Sequence, residues 1–111
     1  MVSIFEQGDI VYVNFAPQAG HEQKGRRPAV VVSSSRFNRV CTSLLVCPIT
    51  NTNRRFPLHV ELDERTKTTG VIMCDQIKSI DPEARNAGFS ESLPNDSLQT
   101  VLDIIKGIIE P

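Results

Sequence analysis

The sequence predicts an α+β fold, and three observations carry that reading. Short apolar and β-branched runs, punctuated by Gly, Pro, Asn and Asp, recur from Asp9 to Leu93 in the manner of strands joined by turns. One of them, Leu58-His59-Val60-Glu61-Leu62, alternates apolar and polar residues, the pattern of a half-buried strand. Beyond them Leu98, Val101, Leu102, Ile105, Ile108 and Ile109 follow steps of three and four, which lines one face of a helix. Strands followed by a single terminal helix define the α+β class.

Each element follows in order. Asp9 to Phe15 is β-branched and aromatic and lies between Gly8 and Pro17, so it reads as a strand. Pro28 to Ser33 is the second; its continuous Ala29-Val30-Val31-Val32 predicts burial on both faces. Ser34 to Arg39 is either one helical turn or a loop. Ser43 to Ile49 is a third strand, with Pro48 near its end, where a lost N–H is tolerable. Asn51 to Arg55 is a polar turn cluster, and Asp63 to Thr69 a charged loop ending at Gly70. Val71 to Cys74 reads as a buried strand, Gln76 to Ile80 alternates, Asp81-Pro82-Glu83 turns the chain, and Phe89 to Leu93 makes a short last strand. The terminal helix has either Asp96 with Gln99 as a capping box or Asn95 as its cap, and Gly107 weakens its last turn.

At 111 residues the chain reads as a single domain over residues 1–111, large enough for one core without staples. Its apolar runs are too short to span a bilayer. Met1-Val2-Ser3-Ile4-Phe5-Glu6 lacks the basic-then-apolar order of a signal peptide, so the expected compartment is the cytoplasm, with no membrane partner. Cys41, Cys47 and Cys74 have no metal-like spacing and read as small buried hydrophobes. With His21 and His59 the only histidines, neither a structural zinc nor any other cofactor is expected. The net charge of −1 is unevenly placed: Lys24, Arg26, Arg27, Arg36, Arg39, Arg54 and Arg55 give residues 24–55 a charge of +7 with no acid, between acidic flanks. Such a block either attracts phosphate or forms a solvated face balanced by the acidic ends.

The stretch richest in chemistry is Ala19-Gly20-His21-Glu22-Gln23-Lys24-Gly25-Arg26-Arg27-Pro28. Twelve residues, Ala16 to Arg27, separate the first two predicted strands, whereas hairpin loops take about two to five. A connection that long in a small domain carries function or is disordered, and this one is not low-complexity. It combines an imidazole, a carboxylate, an amide, a lysine and two guanidiniums. Gly8-Asp9-Ile10-Val11, Gly20-His21-Glu22-Gln23, Arg27-Pro28-Ala29-Val30-Val31, Phe37-Asn38-Arg39-Val40, Pro48-Ile49-Thr50, Thr68-Thr69-Gly70-Val71 and Asp75 to Asp81, taken in order, resemble the MazF/PemK family of toxin endoribonucleases. The PemK/Kid branch is the more similar, through Gly-His-Glu-Gln and Phe-Asn-Arg-Val. The resemblance implies an SH3-like small β-barrel of the CcdB/MazF type with a C-terminal α-helix.

It also assigns roles. Cutting RNA without a metal requires removing the 2′-hydroxyl proton, stabilising charge on the phosphate and protonating the 5′-oxygen. The resemblance places Arg27 in the catalytic groove, where a guanidinium grips phosphate oxygens and stays charged; on sequence alone it reads first as a salt bridge at a strand start. Thr50 matches the family's catalytic threonine, and by itself is ordinary turn chemistry. His21, with an unperturbed pKa of about 6.5, is either an acid or base or a residue that orders its loop. Glu22 and Gln23 hold that loop, and Lys24, Arg54 and Arg55 supply positive charge for substrate. Phe56 either stacks a base or enters the core. Asp75 and Gln76 end a strand beside the groove, Asp75 as a candidate base or a salt-bridge partner. The PemK branch has Arg-Cys-Asp-Gln here, its arginine proposed as the acid; this chain has Met73-Cys74-Asp75-Gln76, and methionine cannot donate a proton. The resemblance therefore implies a metal-independent, sequence-specific endoribonuclease acting on single-stranded RNA, a homodimer, and a cognate antitoxin with an acidic disordered tail. Two rivals stand beside it: a CcdB-like poison of DNA gyrase, and a catalytically weak module that only binds RNA or antitoxin.

Overall fold

The computed structural model describes residues 4–15, 26–52 and 56–111. Seven strands and two helices lie within them: β1 (Asp9–Asn14), β2 (Arg26–Val31), α1 (Ser35–Val40), β3 (Leu44–Thr50), β4 (His59–Glu61), β5 (Val71–Met73), β6 (Lys78–Ile80), β7 (Gly88–Ser92) and α2 (Asn95–Ile109). Every predicted strand is present. The second begins at Arg26 and not at Pro28, so Arg27 lies inside a strand. The open choice over Ser34 to Arg39 resolves as a helix, started by the Ser34 Oγ accepting from the Phe37 N–H at 3.1 Å.

All pairings are antiparallel, in the order β4-β5-β3-β2-β1-β7, with β6 also on β3. One edge of β3 is shared: Leu44, Leu45 and Val46 pair with β6, whereas Ile49 and Thr50 pair with β5. The sheet bends there, and Cys47 and Pro48 sit between the two partners. β2 is central and buried on both faces, as its apolar run predicts. Val30 and Val32 join Ile10, Cys47, Ile49, Ile72 and Cys74 in one cluster beneath α2, and Ala29 and Val31 join Val11, Val13, Leu44, Val46 and Ile80 in a second on the other face. Each buried Val or Ile contributes about 1.5–3 kcal/mol, so a one-residue slip of β2 would exchange two well-packed sets at once.

The β2–β3 ladder has a defined end. Val32 N donates to Leu45 O at 2.8 Å. By the two-residue alternation of antiparallel pairing, residues 30 and 28 then also point their backbone toward β3. Residue 28 is proline and has no N–H to give. The ladder stops at Ala29 opposite Pro48.

Asn38, from the Phe-Asn-Arg-Val segment, is fully buried and architectural. Its Nδ2 donates to Phe5 O (3.0 Å) and Ser33 O (3.2 Å), and its Oδ1 accepts from Ser33 Oγ (2.5 Å). The capping expectations for α2 do not hold. The cap position is Pro94, which makes no side-chain bond, and both Asn95 and Asp96 lie inside the helix. Arg65 takes the Asp96 carboxylate at 2.8 Å and also binds Asp63 at 2.8 Å, while Gln99 donates to Asp103. The bond to Arg65 holds both carboxyls below the usual carboxylate range.

Glu91 on β7 organises the loop before Gly70. Its carboxylate accepts from Thr68 Oγ1 (2.7 Å), Thr68 N (2.8 Å) and Lys67 N (3.1 Å). Burial pushes this carboxyl up, but the three donors outweigh it and the net shift is down. A depressed carboxyl stabilises the fold above its unfolded pKa and loses that contribution as pH falls through the folded one. The melting difference between the parent and Glu91→Gln should therefore be full near neutral pH and shrink below the ordinary glutamate value of about 4.5. A difference unchanged by acid would show that the carboxylate charge is not what holds the loop.

Candidate active site

The period of two along each strand places several polar side chains on one face. Arg27 shares the face of Ala29 and Val31, and Thr50 that of Val46 and Pro48. Thr50 is the cross-strand partner of Val71, which puts Met73 on the same side, and Met73 is the partner of His59. This is the face away from α2. Over β1, β2 and the start of β3 it is filled by the second apolar cluster. Over β4, β5 and the end of β3 it opens into a cavity of roughly 490 Å³ lined by Thr50, Thr52, Phe56, His59, Met73, Asp75 and Gln76.

Arg27 does not line the cavity; it stands at its edge. Carrying the Ala29–Pro48 register on by two residues sets Arg27 opposite Thr50, just past the end of the ladder. Adjacent arginines divide the work. Arg26 Nη1 donates to Asn86 O at 2.6 Å and is committed to the fold. The Arg27 side chain is exposed and has no hydrogen-bond or ion-pair partner among the described residues, so the salt-bridge alternative finds no partner there. A free guanidinium is available to bind an anion.

Thr50 ends β3. Its Oγ1 accepts from Thr52 N at 3.2 Å, which fixes the rotamer and leaves its own proton free to donate. Gly70 secures its backbone. At φ +119° a Cβ there would overlap the Thr50 carbonyl oxygen, with Thr50 C at 2.9 Å and Asn51 Oδ1 at 3.1 Å. Asn51 Oδ1 accepts from Thr69 Oγ1 at 2.9 Å, tying the same two segments together.

Asp75 and Gln76 follow β5 in a turn held by Gln76 N donating to Met73 O at 3.0 Å. Asp75 meets a histidine, His59, whose Nε2 is 3.4 Å from Asp75 Oδ1. Behind them Cys74 and Cys47 are buried thiols, pushed up to about 11 and about 12 by burial first and the neighbouring negative charge second. These two are the buried packing residues expected, whereas Cys41, expected with them, is half-buried at the end of α1. Phe56 is no core residue. It is 45% exposed and meets His59 edge-on, with ring centroids 5.1 Å apart at 72°. It is free to offer a face to a planar ligand.

His59 had no role in the sequence reading beyond its count as a histidine. The alternation Leu58-Val60-Leu62 assigned it to the polar side of a half-buried strand, and on most small sheets that side meets water. Here that side lines the cavity. His21, Glu22, Gln23, Lys24, Arg54 and Arg55 lie outside the described residues. The +7 block is not one surface: Arg36 and Arg39 stand on α1, between the end of β2 and the start of β3. Thr50 is at the far end of β3, about 20 Å away for a seven-residue strand.

Comparison with known proteins agrees with this geometry. A family model described as a PemK-like, MazF-like toxin of type II toxin–antitoxin systems matches residues 6–109. The chain is 39% identical to Endoribonuclease PemK of Escherichia coli over 111 aligned residues, covering 96% of this chain and 84% of that one. It is 35% identical to Endoribonuclease toxin MazF of Escherichia coli strain K12, covering 86% of each. Among solved structures, MazF from Deinococcus radiodurans superposes with a TM-score of 0.84 at 34% identity, over 100% of this chain and 99% of that one. A MazE–MazF structure from the same organism gives 0.82 at 28% identity, over 99% and 97%. The expected small barrel with a C-terminal helix is therefore the fold.

Proposed function

The chain belongs to the PemK-like, MazF-like toxin family of type II toxin–antitoxin systems, and from that premise we propose that it is an endoribonuclease that cuts single-stranded RNA by attack of the substrate's own 2′-hydroxyl. One observation carries the chemistry: Arg27, whose guanidinium has no partner among the described residues, continues the β2–β3 register opposite Thr50, which lines a cavity together with a carboxylate, Asp75. In this reading Arg27 and the Thr50 hydroxyl bind the scissile phosphate and stabilise charge as the 2′-oxygen adds. Asp75 receives the 2′ proton, the bond from phosphorus to the 5′-oxygen breaks, and that oxygen takes a proton from water, giving a cyclic phosphate and a 5′-hydroxyl. Phe56 and Gln76 contact a neighbouring base from the cavity wall.

Met73, where the PemK branch carries its arginine, favours one second reading, a binding module with little catalysis. Named relatives of this chain are endoribonucleases, which supports the enzyme over it and over a gyrase poison. The chain acts as one domain and as a homodimer in the cytoplasm; no helix among the described residues is long and apolar enough to cross a membrane. Its partner is an antitoxin, as the MazE–MazF assembly of Deinococcus radiodurans supports. An acidic disordered tail would compete with RNA for the positive edge.

Purified protein given end-labelled RNA should cut it in EDTA, and a single 2′-deoxy substitution at the cut site should abolish cutting. The internal nucleophile exists only in RNA. Cutting of the deoxy substrate, or activity that returns only with magnesium, would sink the mechanism. Sequencing the new 5′ ends gives the recognition motif.

A further inference from the structure

His59 is the ionisable residue most deeply set in this cavity, and nothing so far gives it work. Its side chain is 10% exposed, against 27% for Asp75. Nε2 faces the Asp75 carboxylate; Nδ1 is buried and has no hydrogen-bond partner among the described residues. An orphaned buried ring nitrogen carries a desolvation cost that packing alone does not explain. Two neighbours fix the ring. Phe56 packs on it edge-on, and β4–β5 pairing sets His59 directly across from Met73. Directly opposed residues project side by side on one face. His59 thus stands beside the position where the chain has given up a polar group for methionine.

We infer that His59 is the positioning residue for Asp75: its Nε2–H holds the carboxylate in the cavity in the orientation that receives the substrate proton. The inference rests on the ribonuclease reading for what Asp75 does, but not for the pairing itself. In the neutral ring the hydrogen lies on Nε2, toward the carboxylate, and Nδ1 keeps the bare lone pair. Asp75 is the one ionisable group among the described residues within 4 Å of the His59 ring nitrogens as a charge partner. Asp75, just past β5, is the charged group it faces, and the thiols of Cys74 and Cys47 are buried in the cluster beneath α2. Glu61 is on its own strand and exposed. α2 packs on the opposite side of β4, through the cluster that takes in Val60 and Leu62, and sends it no charge.

The test has two arms. In kinetics, His59→Leu removes the donor and keeps bulk, whereas His59→Gln keeps an N–H near the place of Nε2. His59→Leu should lose about 10-fold to 100-fold in kcat with KM nearly unchanged, the size of effect that follows misplacement of a reacting group. His59→Gln should recover most of it, and His59→Leu added to Asp75→Asn should cost nothing further. A folded His59→Leu with parental kcat, or losses that multiply in the double variant, would overturn the assignment. The second arm needs no activity. The ¹⁵N ring spectrum above pH 8 should show His59 as the Nε2–H tautomer, and Asp75→Asn should remove that preference. A His59 spectrum indifferent to Asp75→Asn overturns the pairing, even if wild-type protein cuts no RNA and the ribonuclease reading falls separately.

Discussion

Arg27→Ala should lose about 10²–10³ of the cleavage rate and still melt close to the parent. The rate loss is the usual cost of removing one group that meets charge developing in the transition state. The unchanged melting follows from the structure, because this guanidinium has no partner among the described residues whose loss would weaken the fold. Its neighbour makes the internal control: Arg26→Ala gives up the bond to Asn86 O and should lower the melting temperature with a smaller effect on rate. Met73→Ala is the second control. A half-buried methionine at the cavity wall packs but does not polarise, so its loss should leave activity within several-fold. Thermal melts and single-turnover cleavage of one labelled RNA check all three. A folded Arg27→Ala that cuts like the parent, or a folded Met73→Ala that is equally dead, would reverse these roles.

Gly70→Ala should be the most damaging single methyl group in the chain. At φ +119° an L side chain is strained wherever it sits, and here the added carbon also meets the Thr50 carbonyl. The clash is with backbone on both sides, so no rotamer change relieves it. Together these should cost about 2–4 kcal/mol, or roughly 10 °C or more in melting temperature for a domain of this size. What remains folded should also cut poorly, because Thr50 is the atom set that must move. A Gly70→Ala protein with parental melting would mean that the loop can withdraw from Thr50, and that Gly70 does not fix the threonine. Gly107→Ala is the contrast: nothing stands within 4 Å of its added carbon, and it should stabilise α2 slightly.

What could be read from the sequence was whatever depends on local pattern. Ala29 to Val32 announced a strand covered on both faces, and the 3–4 spacing from Leu98 announced α2, because burial imposes those periods directly. Arg27, Thr50 and Asp75 were reachable only through resemblance; singly, each is a common residue at a common place. One reading failed and one residue carried no role, both for identifiable reasons. Asp96 looked like half of a capping box, but Arg65, far away in sequence, claimed its carboxylate. His59 sits in a strand whose alternation is as expected, and no local signal shows that a bent sheet has a second lined face. Phe56 was open between core and platform, a choice set by what covers it.

The first and last strands pair: β1 takes β2 on one edge and β7 on the other, with Asp9 opposite Ser92. Every residue of the candidate site precedes β7, yet the β1–β2 pair that carries Arg27 keeps an open edge until residues 88–92 arrive. Contacts this distant in sequence form late, since the loop must close before they reward it. A nascent or truncated chain can therefore contain all of the chemistry without the frame that aligns it.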